Sequence, residues 1–312
     1  MATETNTAGR RIAGTRRPRL SLARGRSLRG IGYATPTAVI VTVFFLVPLV
    51  LVFWMSVNRW PLLGTPTFNA PDNFTKIPDN QLFVDAVWFT LKYTVITTIV
   101  LSAGAMGLAL MVQGRRRGVG LFRTAFFLPG AIGFAAAALL FYGFYSESGP
   151  LDTLLQNLGI VDEPVNWLGT PNAALFSTIA MVVWRFAGFN MLILLTGLQS
   201  IPTDIYEAAR MDGASRWQAF RHITLPLLRP TIALMLVLSI TGSLLAFDQF
   251  FILTRGGPDN STVSMVMVIY REAFTRFDLG SAAAISVVLL AVLVVLNTLQ
   301  LRVLGRRAEK TS

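Results

Sequence analysis

Polar and aromatic side chains occur together at a few points inside long apolar stretches of this sequence. Asn190 lies within one such stretch, Tyr142 lies near the end of another, and Asp248, Gln249 and Phe250 follow one another near the end of a third. An unpaired polar group in a bilayer core costs several kcal/mol, so each polar residue here is a candidate contact for a solute or an ion. The alternative for each is structural, as a partner within the protein or, for the tyrosine, as a member of the interfacial aromatic belt.

Two cations within these stretches admit a structural interpretation too. Apart from Arg302 at the end of the last stretch, Arg185 and Lys92 are the only Lys or Arg residues inside the six stretches defined below. Either one could pair with Asp248 or Asp85 and hold helices together. Alternatively, their long side chains could reach the interface while the apolar stems stay buried.

The polar segment 198–229 carries a different pattern. Asp204 and, three residues later, Glu207 match the spacing of a capping box at the start of a short helix. Gly213 suits the left-handed end of that helix, and a second helical segment is predicted over 217–226. An exposed short helix with alanines on one face can enter a groove on another protein, whereas the alternative is a helix resting on lipid.

Composition limits the chemistry that the chain can perform. Of its 312 residues, 53% are hydrophobic and 14% are charged, against about 25% charged in soluble domains. The chain has no cysteine, and His222 is its only histidine, which excludes disulfides, thiolate chemistry and multi-histidine metal sites. No G-x-x-x-x-G-K-[ST] loop is present, so the chain supplies no ATP chemistry of its own.

Six apolar stretches must position these residues, and each is long enough to cross a bilayer core of about 30 Å as a helix. The predicted spans are residues 31–57, 84–112, 124–146, 172–197, 230–251 and 279–303. The basic tail 1–30 is predicted to be disordered, and residues 304–312 form a second tail. The connecting segments leave no room for a soluble catalytic domain.

The distribution of charge predicts the orientation of these spans. With the second tail counted from Arg302, twenty of the 27 Lys and Arg residues lie in the two tails and in segments 113–123 and 198–229, whereas the alternate segments hold five. The positive-inside rule therefore places both termini and segment 198–229 in the cytoplasm. Topology and anionic inner-leaflet lipid account for the net charge of +11, so nucleic-acid binding is not expected.

A signature with fixed spacing runs through segment 198–229. Its residues are Glu207, Ala208, Ala209, Asp212, Gly213, Ile223, Leu225 and Pro226. The pattern resembles the EAA loop of binding-protein-dependent ABC importer permeases. FRTAFFLPGAI at 122–132, NWLGTPNAALFS at 166–177 and LTRGGPDNST at 253–262 are similar to the MalF-type permeases of carbohydrate importers. The resemblance covers about residues 30–303, without the large extracytoplasmic insertion of the maltose system's own MalF subunit.

This resemblance implies an all-α membrane protein with the six-helix type I ABC importer permease fold, in the bacterial or archaeal cell membrane. The EAA loop would be a coupling helix that docks on a cytoplasmic ATPase subunit. Glu207 would accept hydrogen bonds from a basic residue there, although it could instead interact only with its own helix dipole. The implied partners are a MalG-type second permease, two ATPase subunits that hold ATP and Mg, and an extracytoplasmic solute-binding protein.

The implied cargo is a sugar, because planar polar side chains and stacking aromatics are typical of sugar sites. The candidate pathway residues are Tyr142, Asn190, Asp248, Gln249 and Phe250. Gly256, Gly257 and Pro258 form a predicted outer turn, where the resemblance implies docking of the binding protein and gating; the alternative is an ordinary tight turn. No cofactor is expected on this chain itself.

Two other classes of function remain as alternatives. A secondary transporter or channel working alone would need a charged relay or broken inverted repeats at the midplane, and neither is visible in the sequence. An intramembrane enzyme would need a second acid to pair with Asp248 or a Ser/His arrangement around His222, and the sequence offers neither.

Overall fold

The structure is a computed structural model, and it describes residues 33–114, 117–147 and 149–308. Four helices are long and apolar enough to cross a bilayer, and the total rises to six if each of two bent helix pairs is one span. All of the predicted first tail, residues 1–30, and residues 309–312 of the second lie outside the described ranges.

The elements follow one another along the chain with short connections. They are α1 Tyr33–Ser56, β1 Asn58–Arg59, β2 Thr67–Phe68, α2 Asp72–Thr75, α3 Gln81–Val112, α4 Val119–Ala131, α5 Phe134–Phe144, α6 Pro150–Asn157, α7 Pro171–Gln199, α8 Thr203–Met211, α9 Arg216–Leu227, α10 Arg229–Leu244, α11 Met265–Tyr270 and α12 Leu279–Ala308. The two short strands are antiparallel, with Asn58 opposite Phe68.

Helix α1 makes up most of the described part of the first compact unit, which ends at Leu51. Residues Thr42–Leu46 have π-helical hydrogen bonding, and the Val47 N–H donates to the Thr42 carbonyl. This wider turn directly precedes Pro48, which has no N–H to donate to the regular helical pattern.

The second compact unit, residues 52–312, is a bundle built around α3, α7, α10 and α12. Helix α3 packs against α7 and α10, and α10 packs against α12. Helix α4 approaches α7 so closely that a Cβ at Gly188 would overlap the backbone carbonyl of Phe126. A glycine at this crossing therefore lets the two backbones meet.

The third predicted span, 124–146, is not a single straight helix. It is divided into α4 and α5, which meet at a bend of 96°. The Arg185 Nε donates to the Ile132 carbonyl at the bend over 3.0 Å. The same guanidinium carbon lies 4.5 Å from the ring centroids of Phe134 and Phe186. Arg185 therefore stabilises the bend by hydrogen bonding and cation–π contact.

The fifth predicted span, 230–251, is also interrupted. Helix α10 ends at Leu244, and the chain returns to helical geometry in a π-helical turn at Phe250–Thr254. At the break, the Ser264 hydroxyl donates to the Ala246 carbonyl over 2.6 Å, which satisfies a backbone group that the helix no longer serves. Before the span, α9 and α10 meet at a bend of 68°.

Candidate functional site

Helix α8 carries the first part of the EAA-like signature and presents it outward. Glu207 and Ala208 are exposed, and Ala209 is half-buried. Within the described part of the chain, the Glu207 side chain makes no hydrogen bond and no ion pair. Its carboxylate is therefore available to a partner molecule.

The predicted capping box at Asp204 and Glu207 is wrong. The N-cap of α8 is Pro202, which makes no side-chain cap, so Asp204 already lies inside the helix where it cannot cap. A capping box exists instead at the start of α9: the Gln218 N–H donates to Ser215 Oγ over 3.3 Å, and the Ser215 N–H donates to Gln218 Oε1 over 2.7 Å.

Helix α8 ends as the sequence predicts, with Gly213 in the left-handed region at φ +77°. The Ala214 N–H donates to the Ala209 carbonyl over 2.9 Å, and the Gly213 N–H donates to the Arg210 carbonyl over 3.1 Å. These two bonds form a Schellman motif, which turns the chain sharply. Asp212, the C-cap residue, is exposed.

The second part of the signature lies in α9, which has π-helical hydrogen bonding over Phe220–Thr224. Ile223, Leu225 and Pro226 are half-buried there, so they face the protein more than solvent. They therefore differ in exposure from Glu207 on α8, and the two parts of the signature have different surroundings.

A tyrosine that the sequence analysis did not select joins the two parts. The Tyr206 hydroxyl on α8 and the Thr224 hydroxyl on α9 are 2.9 Å apart. The Tyr206 ring packs against an apolar cluster that includes Leu198 and Leu228. In the described ranges, this is the only side-chain hydrogen bond from α8 to another helix. The sequence signal was a tyrosine inside an otherwise polar, alanine-containing helix.

A wide cleft of about 1390 Å³ lies beside α8 and α9. The start of α4 borders it as well, and Glu207 and Arg210 of α8 lie along it. On the α4 side, the Arg123 Nη2 donates to the Val112 carbonyl over 2.6 Å and so closes the end of α3. The EAA-like helix therefore forms one edge of an open surface.

Two of the predicted pathway residues are buried in the bundle. Gln249 is 3% exposed, and its Nε2 donates to the Tyr93 hydroxyl over 3.2 Å. Phe250 is fully buried, with its ring centroid 4.9 Å from that of Tyr93 in an edge-to-face contact. Both side chains contribute to the contact between α3 and the π-helical turn in this conformation.

Asn190 is buried as well and links α7 to α10. Its Nδ2 donates to the Phe186 carbonyl over 3.0 Å, and its Oδ1 accepts from the Ser239 hydroxyl over 3.3 Å. Asp248, by contrast, is exposed next to the π-helical turn. The predicted pathway residues therefore do not converge on one cavity.

In the described structure, neither Arg185 nor Lys92 forms an ion pair within 4.0 Å with Asp248 or Asp85. Lys92 Nζ donates to Asn172 Oδ1 over 3.4 Å, and Asp85 accepts from the side chain of Gln81. Over residues 33–114, 117–147 and 149–308, the one ion pair within 4.0 Å joins Glu272 and Arg276, which follow α11.

Tyr142 lines a second cavity, of about 530 Å³, between α5, the π-helical turn and α11. Phe251 and Tyr270 also contribute to its wall, as do Arg255 and Arg271. Of the five predicted pathway residues, Tyr142 is the one that borders this cavity.

The predicted glycine turn is rigidly held. Gly256 has φ +84°, and a Cβ there would lie 2.7 Å from Arg271 Nη2. Gly257 and Pro258 follow it, joined by a cis peptide bond. The buried Thr262 hydroxyl donates to the Gly257 carbonyl over 2.7 Å and lies 2.7 Å from the Thr254 hydroxyl. The sequence analysis did not select Thr262.

Comparison with known proteins gives consistent results. The model of the family described as "Binding-protein-dependent transport system inner membrane component" matches residues 105–310. The arabinooligosaccharides transport system permease protein of Bacillus subtilis is 32% identical over 277 residues, which are 88% of this chain and 87% of that protein. The lactose transport system permease protein of Rhizobium radiobacter is 33% identical over 289 residues, 90% and 96% of the two chains.

A solved structure also has a similar fold. It is the crystal structure of a bacterial alginate ABC transporter in complex with an alginate pentasaccharide-bound periplasmic protein. One of its chains superposes with a TM-score of 0.76 at 25% identity, and the match covers 90% of this chain and 96% of that chain.

Proposed function

Because the chain belongs to the family of binding-protein-dependent transport system inner membrane components and is a permease subunit of an ABC importer, we propose that its cargo is a sugar or sugar-like solute. The chain is not itself an enzyme. Its similarity to permeases of arabinooligosaccharide and lactose systems supports the choice of cargo.

In this proposal, the chain forms the translocation pathway together with a second permease of the MalG type. An extracytoplasmic solute-binding protein delivers the cargo, and two cytoplasmic ATPase subunits bind ATP and Mg and supply the work. The solved alginate transporter in complex with a pentasaccharide-bound periplasmic protein supports the solute-binding protein as a partner. The absence of a phosphate-binding loop in this sequence supports the need for separate ATPase subunits.

Helix α8 is the proposed contact with the ATPase. Its small Ala208 and Ala209 side chains permit close approach to a groove, and the unpaired Glu207 carboxylate can accept charge-assisted hydrogen bonds from a basic residue. The Schellman turn at Gly213 gives the helix a defined end. The single observation that carries this proposal is a short helix that, among the described residues, has one side-chain hydrogen bond to another helix and an unpaired Glu207 carboxylate.

Movement of α8 would reach the bundle through two connections. One is covalent, through the turn at Gly213 into α9. The other is the contact between Tyr206 and Thr224, which bypasses that turn. Since α9 leads directly into α10, a displacement of α8 changes the position of a core helix and thereby the access of the pathway to either side of the membrane.

The test is assembly and transport with a charge reversal on α8. Glu207→Lys should reduce co-purification with the ATPase subunits and reduce ATP-driven sugar uptake in proteoliposomes by at least about tenfold. Glu163→Lys is the matched control, because Glu163 is also exposed but lies in a different loop. Normal assembly and uptake with Glu207→Lys would overturn the coupling role. Uptake by this chain without any ATPase partner would instead establish a stand-alone transporter.

A further inference from the structure

The cavity that Tyr142 borders has features that the proposed coupling mechanism does not use. We call it the arginine–aromatic cavity and define it by Tyr142, Phe251, Arg255, Tyr270 and Arg271. Its volume of about 530 Å³ lies within the range of about 300–1000 Å³ typical of small-molecule sites. It is separate from the EAA-like segment, with which it shares no residue.

One wall of the arginine–aromatic cavity is part of a continuous ladder of rings. Phe251 stacks on Phe247 at a centroid distance of 5.0 Å and meets Tyr270 edge-on at 5.0 Å. Tyr270 continues the ladder to Phe274 at 5.1 Å. Phe251 is 40% exposed and Tyr142 47% exposed, so ring surface remains open to a ligand. Flat apolar ring faces suit the C–H face of a pyranose.

The charge on the cavity is positive and uncompensated. Arg255 is exposed, and within the described residues its side chain forms no hydrogen bond and no ion pair. Arg271 Nη1 donates to Asn260 Oδ1 over 2.8 Å and Nη2 donates to the Arg255 carbonyl over 3.5 Å, which orients the guanidinium; among the described residues its Nε has no partner. No aspartate or glutamate lines the cavity in the part of the chain that the structure describes.

Glu272, the acid that follows Arg271 along the chain, is already bonded elsewhere. Glu272 is 4% exposed and accepts from Arg276 Nη1 over 2.7 Å and from Asn80 Nδ2 over 3.1 Å. It therefore does not neutralise its neighbour Arg271. Among the described residues, neither cavity arginine has an ion-pair partner within 4.0 Å, so an anionic ligand can supply the counter-charge.

We propose that the arginine–aromatic cavity binds an anionic saccharide, with the acid group on Arg255 and Arg271 and a sugar ring on Phe251, Tyr270 or Tyr142. A planar guanidinium matches a carboxylate or sulfonate in a bidentate geometry that neutral sugars do not offer. This assignment rests on the proposed function and narrows its cargo to acidic sugars such as uronides.

The test is binding of trigalacturonate and of neutral maltotriose to the complete transporter, purified with its second permease and ATPase subunits, by isothermal titration calorimetry. Trigalacturonate should bind, and Arg255→Gln should raise its dissociation constant by at least about tenfold. Arg255→Lys keeps the charge but loses the planar guanidinium with its paired N–H donors, so it should give an intermediate dissociation constant. Arg59→Gln is the matched control, because Arg59 is exposed and distant in sequence from the cavity.

Four results would overturn the assignment. Equal affinity for maltotriose and trigalacturonate would show that the acid group is not recognised. An equal loss in Arg59→Gln would show a general effect of charge. Weaker association of the binding protein with Arg255→Gln, at unchanged trigalacturonate affinity, would assign the arginines to protein docking. ATP-driven uptake of maltotriose, with neither binding nor uptake of trigalacturonate, would support the sugar importer and reject only this inference. Absence of ATP-driven uptake of every sugar tested would reject the proposed function.

Discussion

The hydrogen bond between Tyr206 and Thr224 offers a sharp test of how α8 is connected to the bundle. Tyr206→Phe removes one oxygen and keeps the ring in its apolar cluster. Thr224 retains a longer bond to the Ala219 carbonyl at 3.4 Å, so its buried hydroxyl is not left without a partner. The loss is therefore that of one net hydrogen bond, about 0.5–1.5 kcal/mol.

That energy determines the expected effect on coupling. If the bond holds α8 and α9 in their working arrangement, its loss shifts the equilibrium of that arrangement by about two- to tenfold. Tyr206→Phe should therefore lower the number of solute molecules imported per ATP hydrolysed by about two- to tenfold. The assay is parallel measurement of uptake and ATPase rate in proteoliposomes that contain the complete transporter. Tyr33→Phe is the control, because the Tyr33 ring is exposed.

A double-mutant cycle separates this bond from other effects of the two substitutions. Thr224→Val should produce a similar loss, and the double variant should be no worse than the more affected single variant. Effects that multiply in the double variant would show that Tyr206 and Thr224 act independently. In that case α8 would transmit its movement only through the turn at Gly213.

Three further substitutions test the backbone and the bends. Gly213→Ala places a Cβ in open space but at φ +77°, so it should destabilise the end of α8 by about 1–2 kcal/mol and reduce uptake. Gly242→Ala is the control: its Cβ also lies in open space, but the backbone geometry is ordinary, so uptake should be unchanged. Gly188→Ala should lower thermal stability of the detergent-solubilised complex by about 1–3 kcal/mol or more, because its Cβ would overlap a backbone carbonyl, while Gly107→Ala should be neutral. Arg185→Lys keeps the charge but loses planar stacking on two rings, and should cost about 1–2 kcal/mol in the same unfolding assay.

Hydropathy predicted where membrane helices lie because length and apolar content are local properties of the chain. Predicted span 84–112, for example, falls within α3, Gln81–Val112, and span 172–197 falls within α7, Pro171–Gln199. The bend of 96° within span 124–146 was not predicted, since its partner is Arg185 on another helix. Hydropathy averages over such breaks, and only the tertiary contact that satisfies the freed carbonyl makes them stable.

The coupling segment shows the same division between local and non-local information. The left-handed end at Gly213 follows from glycine's freedom at positive φ, which the sequence alone makes visible. The bond from Tyr206 to Thr224 depends on how two helices fold back on each other after that turn. The capping box was assigned to Asp204 because two acids had the right spacing, whereas the true box at Ser215 uses a serine and a glutamine with the same spacing.

Burial separates the two interpretations that the sequence left open for polar residues in apolar stretches. Asn190 and Gln249 are buried. The Asn190 amide donates to a carbonyl of its own helix and accepts from the Ser239 hydroxyl of α10, and the Gln249 amide donates to the Tyr93 hydroxyl of α3, so both satisfy polar groups of the interior in this conformation. Tyr142, Asp248 and Arg255 are exposed, and no side-chain hydrogen bond of theirs within the described residues competes with a ligand. A polar group that is already hydrogen-bonded must give up a bond in order to bind a solute. An exposed polar group without such a bond can form a hydrogen bond to the solute at no such cost. The solute path should therefore be sought first along the exposed set.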